Sequence, residues 1–260
     1  MAYQDILYEV KAGAAWITIN RPERMNAFRA ATVDELIDAF TEASWDKSIG
    51  VIVLTGAGDK AFCAGGDQSG HEGAYEGKGT IGMAIEALQN AIRIAPKPVI
   101  ARVQGYAIGG GNVLATLCDL TIASEKAQFG QVGPKMGSVD PGYGTAYLAR
   151  VVGEKKAREI WYLCRRYTGQ EAVEMGLANI AVPHEKLDEV VNEWCAEIMD
   201  KSPTALSLAK RSINADTDHI NGIASLGMQA LALYYDTAES QEGVKAFNEK
   251  RKADFRKFVK

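Results

Sequence analysis

Gly105-Tyr-Ala-Ile-Gly-Gly-Gly-Asn112 follows the apolar, β-branched run Val99–Val103 and leads into an apolar helix predicted to begin at Gly110. Successive glycines at a strand-to-helix turn let backbone N–H groups approach a ligand with no side chain in the way. The helix start aims further unpaired N–H groups and a positive dipole end at the same place. A second glycine turn, Ala61-Phe-Cys-Ala-Gly-Gly-Asp67, follows another apolar strand and a polar turn. Two such donors converging on one oxygen make an oxyanion hole, each worth on the order of 3 kcal/mol in a dry site. Glycine-rich turns also occur as mere tight connections, so the pattern alone leaves both readings open. Two nucleotide motifs are excluded. Gly109 and Gly111 are followed by Leu114 where G-x-G-x-x-G requires glycine, and no G-x-x-x-x-G-K-[ST] loop is present.

Outward from these turns the first half alternates short β-rich runs with helical ones. Trp16–Ile19, Val51–Leu54, Val99–Val103 and Leu120–Ala123 read as buried strands. Between the first two, Val33, Leu36, Ile37 and Phe40 mark one face of a helix, with Thr32 and Glu35 as its capping box. In the second half, Ala157, Ile160, Trp161 and Cys164 keep helical spacing, as do Leu187, Val190, Val191 and Trp194. Ser202 before Pro203 starts a region that is almost wholly helical. The expected layout is α/β: a core over 1–202 followed by a helical region over 203–260.

The chain has 260 residues, 47% of them hydrophobic, and a formal charge of −4, which argues against general affinity for nucleic acid. A basic tail (Lys250, Arg251, Lys252, Arg256, Lys257, Lys260 against Asp254) reads from composition as a solvated helix face. Cys63, Cys118, Cys164 and Cys195 form no CxxC pair, so neither zinc nor disulfides are expected. No apolar run approaches ~18 residues, and the N-terminus has no signal-like pattern. A cytoplasmic protein without membrane or nucleic-acid partners is the expectation.

The two glycine turns, with Asn20-Arg-Pro-Glu-Arg-Met-Asn-Ala-Phe28 upstream, resemble the crotonase (enoyl-CoA hydratase/isomerase) superfamily over nearly the whole chain. The resemblance implies a ClpP-like spiral of β-β-α turns with a helical C-terminal trimerisation region, assembled as a homotrimer or a homohexamer (a dimer of trimers). It implies an acyl-CoA substrate and no separate cofactor, with the peptide N–H groups of Gly66 and Gly110 gripping the thioester oxygen. Ala64, Gly65, Asp67 and Gln68 would flank that grip, with Asp67 stabilising its turn. Arg24 and Ala27 would border the adenine pocket, while Phe247 and Lys250 would meet the CoA nucleotide of a neighbouring subunit. Hydratases of the superfamily carry two glutamates that activate water. Here those positions are Val113 and Gly133, and neither can exchange a proton.

The run Phe129-Gly-Gln-Val-Gly-Pro-Lys-Met-Gly-Ser-Val-Asp-Pro-Gly-Tyr-Gly144 is similar to a narrower branch that closes or opens rings of β-keto acyl-CoA thioesters. The 1,4-dihydroxy-2-naphthoyl-CoA synthases of menaquinone biosynthesis belong there, as do the 2-ketocyclohexanecarboxyl-CoA hydrolases of anaerobic aromatic (benzoate) degradation. The loop His71–Gly79 and the Val139–Tyr143 run resemble the hydrolases more closely. The resemblance implies Asp140 as general base, Ser138 as its hydrogen-bonding neighbour and Tyr235 as a donor from the C-terminal helix. Asp140 can equally be read as the cap of a helix beginning near Pro141. Tyr75 would touch substrate from a loop over the acyl group. Gly133 and Gln131 match positions where glycine-bearing synthases are thought to hold a bicarbonate, and Tyr143 stands where many of those have tryptophan.

Overall fold

The computed structural model describes residues 3–68 and 77–259. His71 and Tyr75 lie outside the described residues. Strands β1 (Ile6–Lys11) and β2 (Ala14–Ile19) form an antiparallel hairpin. Its turn residues Ala12 and Gly13 both take positive φ, as a twisted two-residue hairpin turn requires. Helix α1 (Ala30–Trp45) follows and buries Val33, Leu36 and Phe40 on one face. Three similar turns come next. Each lays a strand in one sheet, a short strand in a second sheet, and then a helix. They are β3 (Val51–Gly56), β4 (Ala61–Cys63) and α2 (Ile85–Ile94); β5 (Val99–Val103), β6 (Tyr106–Ile108) and α3 (Gly110–Leu117); β7 (Leu120–Ser124), β8 (Gln128–Gly130) and α4 (Gly133–Met136).

The repetition advances both sheets in step, β3-β5-β7 and β4-β6-β8, with parallel pairing throughout. This is the spiral of β-β-α turns that the resemblance implies. Helices α5 (Ala146–Val152), α6 (Glu154–Leu163) and α7 (Gly169–Glu174) follow, with β9 (Tyr167–Thr168) and β10 (Ile180–Val182) at sheet edges. The chain ends in α8 (Leu187–Met199), α9 (Pro203–Ala215), α10 (His219–Tyr235) and α11 (Ala238–Asn248). β3 is buried along its whole length. Ile52 and Leu54 face the main core, while Val51 and Val53 face Leu187, Val191 and Cys195 of α8. Burial on both faces explains why this strand reads as a continuous apolar run rather than an alternating one.

Two readings of helix starts change. α1 begins at Ala30, so Thr32 is its third residue rather than its cap, and its hydroxyl accepts from the Arg29 N–H at 3.2 Å. Glu35 instead accepts the N–H groups of Gln4 and Asp5 at 2.8 Å each, tying the entry to β1 onto α1. Asp140 caps no helix. Gly142–Gly144 forms a 3₁₀ turn without a side-chain cap, and α5 starts only at Ala146. α9 does start at Pro203, with the Ser202 hydroxyl accepting from the Ala205 N–H at 3.3 Å. The C-terminal helices share the main core through Ile220, Ala224, Met228 and Leu231.

The closest packing in the spiral joins α3 to β4. A Cβ on Gly111 would lie 1.9 Å from the Cys63 carbonyl oxygen, an approach only glycine permits. Gly111→Ala should therefore cost at least the ~1–3 kcal/mol of ordinary overpacking, read as a lowered denaturation midpoint. Gly222→Ala, where no atom lies within 4 Å, should instead raise stability by about 0.5–1 kcal/mol through helix propensity.

Candidate active site

The two glycine turns meet. A Cβ on Gly65 would stand 3.1 Å from the Gly110 nitrogen, and one on Gly110 would lie 3.5 Å from the Gly65 Cα. Gly109 precedes α3 with φ 56° and ψ −125°, a conformation reserved for glycine. Gly110 opens α3, so its N–H has no intrahelical acceptor. Neither it nor the Gly66 N–H is bound to another protein group among the described residues. Both residues line one cavity of about 910 Å³.

The upstream motif holds this geometry. Phe28 pairs with the Gly66 segment, accepting the Asp67 N–H at 2.8 Å and donating to the Gly65 carbonyl at 2.9 Å. Asn26 is buried and donates to the carbonyls of Ala57 and Ala61 at 3.0 and 2.7 Å. The Arg21 guanidinium binds the Asp67 carboxylate at 2.8 Å and the Ala27 carbonyl. Asp67 and Ala27 therefore brace the turn and are not on the cavity wall. Ala64, Gly65 and Gln68 are on it, and the Gln68 amide donates to the Gly66 carbonyl at 3.2 Å. Arg24 is exposed on a short 3₁₀ turn over 22–24, beside the wall residue Met25.

Ser138, Asp140 and Tyr235 line the same cavity, with the two hydroxyl oxygens of Ser138 and Tyr235 2.8 Å apart. Glycine contacts seat them. A Cβ on Gly227 of α10 would fall 2.2 Å from the Pro141 Cβ, and one on Gly142 would meet Ala224 at 2.4 Å. α11 closes on the other side of the loop. The Ser240 hydroxyl donates to the Gly137 carbonyl at 2.6 Å, and Gly243 abuts the Gly137 nitrogen. The loop bearing Ser138 and Asp140 is thus clamped between α11 and α10, whose last residue is Tyr235. Burial raises the Asp140 carboxyl to about 6, and no cation among the described residues offsets it. Burial pushes the Tyr235 hydroxyl to about 12; the Asp140 charge adds to this and the Ser138 bond opposes it. At neutral pH the cavity holds a mostly ionised, poorly solvated carboxylate beside a phenol that keeps its proton.

Val113 and Gly133 are also on the wall, so no carboxylate faces the cavity from either position. At Gly133 none fits, because a Cβ would lie 2.5 Å from the Ser138 carbonyl oxygen and 2.9 Å from the Trp161 ring. Gln131 is fully buried behind the wall, and neither of its amide atoms has a partner among the described residues. Tyr143 is buried too, its ring against the Arg93 guanidinium at 5.3 Å and the Tyr147 ring at 6.0 Å, not on the cavity wall.

In the tail, Phe247 lines the cavity of its own chain. Lys250 takes φ 54° and reverses the chain after α11, and Arg251 and Lys252 beyond it take wall positions. Glu242 fixes that reversal through Arg251 at 2.6 Å and Lys257 at 3.2 Å. Lys135 and Arg166 also line the cavity, and sequence reasoning singled out neither. The four cysteines are buried and unpaired, with thiol pKa values raised by burial. No group of metal-ligating side chains and no helix long and apolar enough to cross a membrane occurs among the described residues.

Known proteins share this architecture. An enoyl-CoA hydratase from Mycobacterium avium subsp. paratuberculosis K-10 superposes with a TM-score of 0.86 at 28% identity, covering 98% of this chain and 99% of that one. A carnitinyl-CoA hydratase from Mycobacterium avium gives 0.85 at 30%, covering 98% and 100%. An enoyl-CoA hydratase from Bacillus anthracis gives 0.76 at 33%, covering 97% and 99%. The family model described as Enoyl-CoA hydratase/isomerase matches residues 9–258. With two peptide donors converging on one cavity and that match along almost its full length, the chain belongs to the enoyl-CoA hydratase/isomerase (crotonase) family of CoA-thioester-processing enzymes.

Proposed function

We propose that this enzyme hydrolyses a ring carbon–carbon bond of a cyclic β-keto acyl-CoA, 2-ketocyclohexanecarboxyl-CoA, to give pimeloyl-CoA. The carrying observation is the placement of carboxylates. Asp140 faces the cavity with Ser138 and Tyr235, while Val113 and Gly133 offer nothing to a hydration reaction. Resemblance to structures named hydratases fixes the fold and the thioester chemistry but not the step that follows.

The Asp140 carboxylate takes a proton from water as its oxygen attacks the ring ketone carbon. Tyr235 donates a hydrogen bond to the ketone oxygen as it becomes an alkoxide. Collapse of the tetrahedral carbon breaks its bond to the α-carbon. The electron pair passes into the thioester as an enolate, whose oxygen receives the Gly66 and Gly110 N–H groups. The hole binds this anion more strongly than the neutral thioester, which is the differential binding that catalysis requires. A proton delivered from the Asp140–Tyr235 side to the α-carbon completes the open-chain thioester, and the former ketone carbon remains in it as the terminal carboxylic acid, which ionises to solvent. The cations Lys135, Arg166 and Lys252 on the wall suit the phosphates of CoA.

The protein also assembles with copies of itself in this reading. α10 buries Ala224, Met228 and Leu231 on one face and exposes Leu226 and Leu233, 74% and 73% accessible, on the other. A helix apolar all round belongs in an interior, so the outer face is assigned to a trimer or hexamer contact. Leu226→Glu combined with Leu233→Glu should shift the light-scattering mass to that of a single chain; an unchanged mass refutes the assignment.

Purified protein given 2-ketocyclohexanecarboxyl-CoA should release pimeloyl-CoA. Release of 1,4-dihydroxy-2-naphthoyl-CoA from a succinylbenzoyl-CoA substrate instead sinks the hydrolase reading. Asp140→Asn should lower kcat by about 10²–10⁴-fold while CoA-ester affinity is retained. Because the base acts ionised, kcat/KM should fall as pH drops through about 6 and level off above it. Stability should move the opposite way. A carboxyl whose folded pKa lies above its unfolded value near ~3.9 destabilises the fold when ionised. Asp140→Asn should therefore melt above the wild type at pH 8 and together with it near pH 4.

A further inference from the structure

Gln89 lies on α2 with 3% of its surface accessible, yet it lines the cavity. Its side chain makes no hydrogen bond among the described residues, and its amide oxygen is enclosed without a partner there. The wall around the acyl space is otherwise apolar on this side, built by Ile81, Met83, Ile85, Leu114, Met228 and Leu231. An unsatisfied buried amide is costly, and a leucine or methionine would fill the same volume without that cost. Retention of such a penalty at a cavity wall is the signature of a group reserved for a ligand.

The side chain is also held in place. Ile85, Gln89 and Arg93 recur at four-residue spacing on one face of α2. Arg93 pins that face by donating to the Asn214 carbonyl at 3.1 Å and the Thr217 hydroxyl at 2.9 Å. Its guanidinium packs over the rings of Tyr143 and Tyr147 at 5.3 and 5.1 Å. The face carrying Gln89 is therefore packed against the segment that follows Asp140.

We infer that Gln89 is a specificity-determining residue that reads an oxygen function on the acyl group, a keto or hydroxyl substituent beyond the thioester. The amide N–H₂ can donate to either oxygen, and a hydroxyl can in turn donate to the amide oxygen. A ketone oxygen has two lone pairs and accepts from Gln89 and Tyr235 together. Hydrocarbon acyl groups leave the amide unpaired and are disfavoured. A purely apolar pocket cannot make that distinction strongly, whereas one built to hydrogen-bond can. The inference rests on the acyl-CoA reading of the cavity and not on which bond is cut.

Binding without turnover separates the two. By calorimetry, 2-hydroxycyclohexanecarboxyl-CoA, which cannot undergo the cleavage, should bind the wild type at least about tenfold more tightly than cyclohexanecarboxyl-CoA. Gln89→Met keeps length and helix propensity and removes both hydrogen-bonding atoms. It should weaken the hydroxy ester by about tenfold, leave the hydrocarbon ester unchanged or tighter, and melt no lower than the wild type. Equal affinities of the wild type for both esters, an equal loss for both in the variant, or undiminished discrimination in the variant each overturn the inference. A failure of pimeloyl-CoA release with discrimination intact would count against the hydrolase reading alone.

Discussion

The 1.9 Å that would separate a Gly111 Cβ from the Cys63 carbonyl oxygen is the constraint on which the rest of the site depends. Backbone must touch backbone there, because the N–H groups of Gly66 and Gly110 belong to different turns of the spiral. Those turns follow β4 and β6, neighbouring parallel strands of the second sheet, and any side chain between them would part the donors. The flanking elements serve this approach. Phe28 pairs with the Gly66 segment, Arg21 holds Asp67, and Asn26 saturates the carbonyls of the turn before β4. With its own lone pairs and protons satisfied, that scaffold has no cause to capture the two free N–H groups.

A second set of close approaches builds the reacting side. Gly137, Gly142, Gly227 and Gly243 let α10 and α11 settle directly onto the loop that carries Ser138 and Asp140. Tyr235 consequently reaches Ser138 from almost a hundred residues away in sequence. The same enclosure strips water from Asp140 and raises its pKa, so the packing that positions this carboxyl also tunes it. Stability is spent at two places in this cavity, on a desolvated carboxyl and on the unpaired amide of Gln89. Both face the space where an acyl group would sit.

Much of this was legible in the chain, for identifiable reasons. The long central strands are buried on both faces, so their apolar runs stand out at Val51–Leu54 and Val99–Val103. The glycine turns and the start of α3 at Gly110 were visible because only glycine tolerates those approaches and angles. The second sheet was not legible, since β4, β6, β8 and β9 are two or three residues long and too short to show a period. The cap of α1 was misplaced because Thr32 and Glu35 match the pattern of a helix start while binding Arg29 and the chain before β1 instead.

By itself the sequence determined the family and, through that resemblance, the spiral, because motifs read in order and glycine at obligatory turns are local features. Only the tertiary structure decided which polar groups share the cavity. It turned Asp67, Gln131 and Tyr143 away from the wall and brought Phe247 onto that of its own chain. It also exposed Gln89, which no motif marks. A lone glutamine in an amphipathic helix looks like any other until the packing around it shows that nothing among the described residues answers its amide.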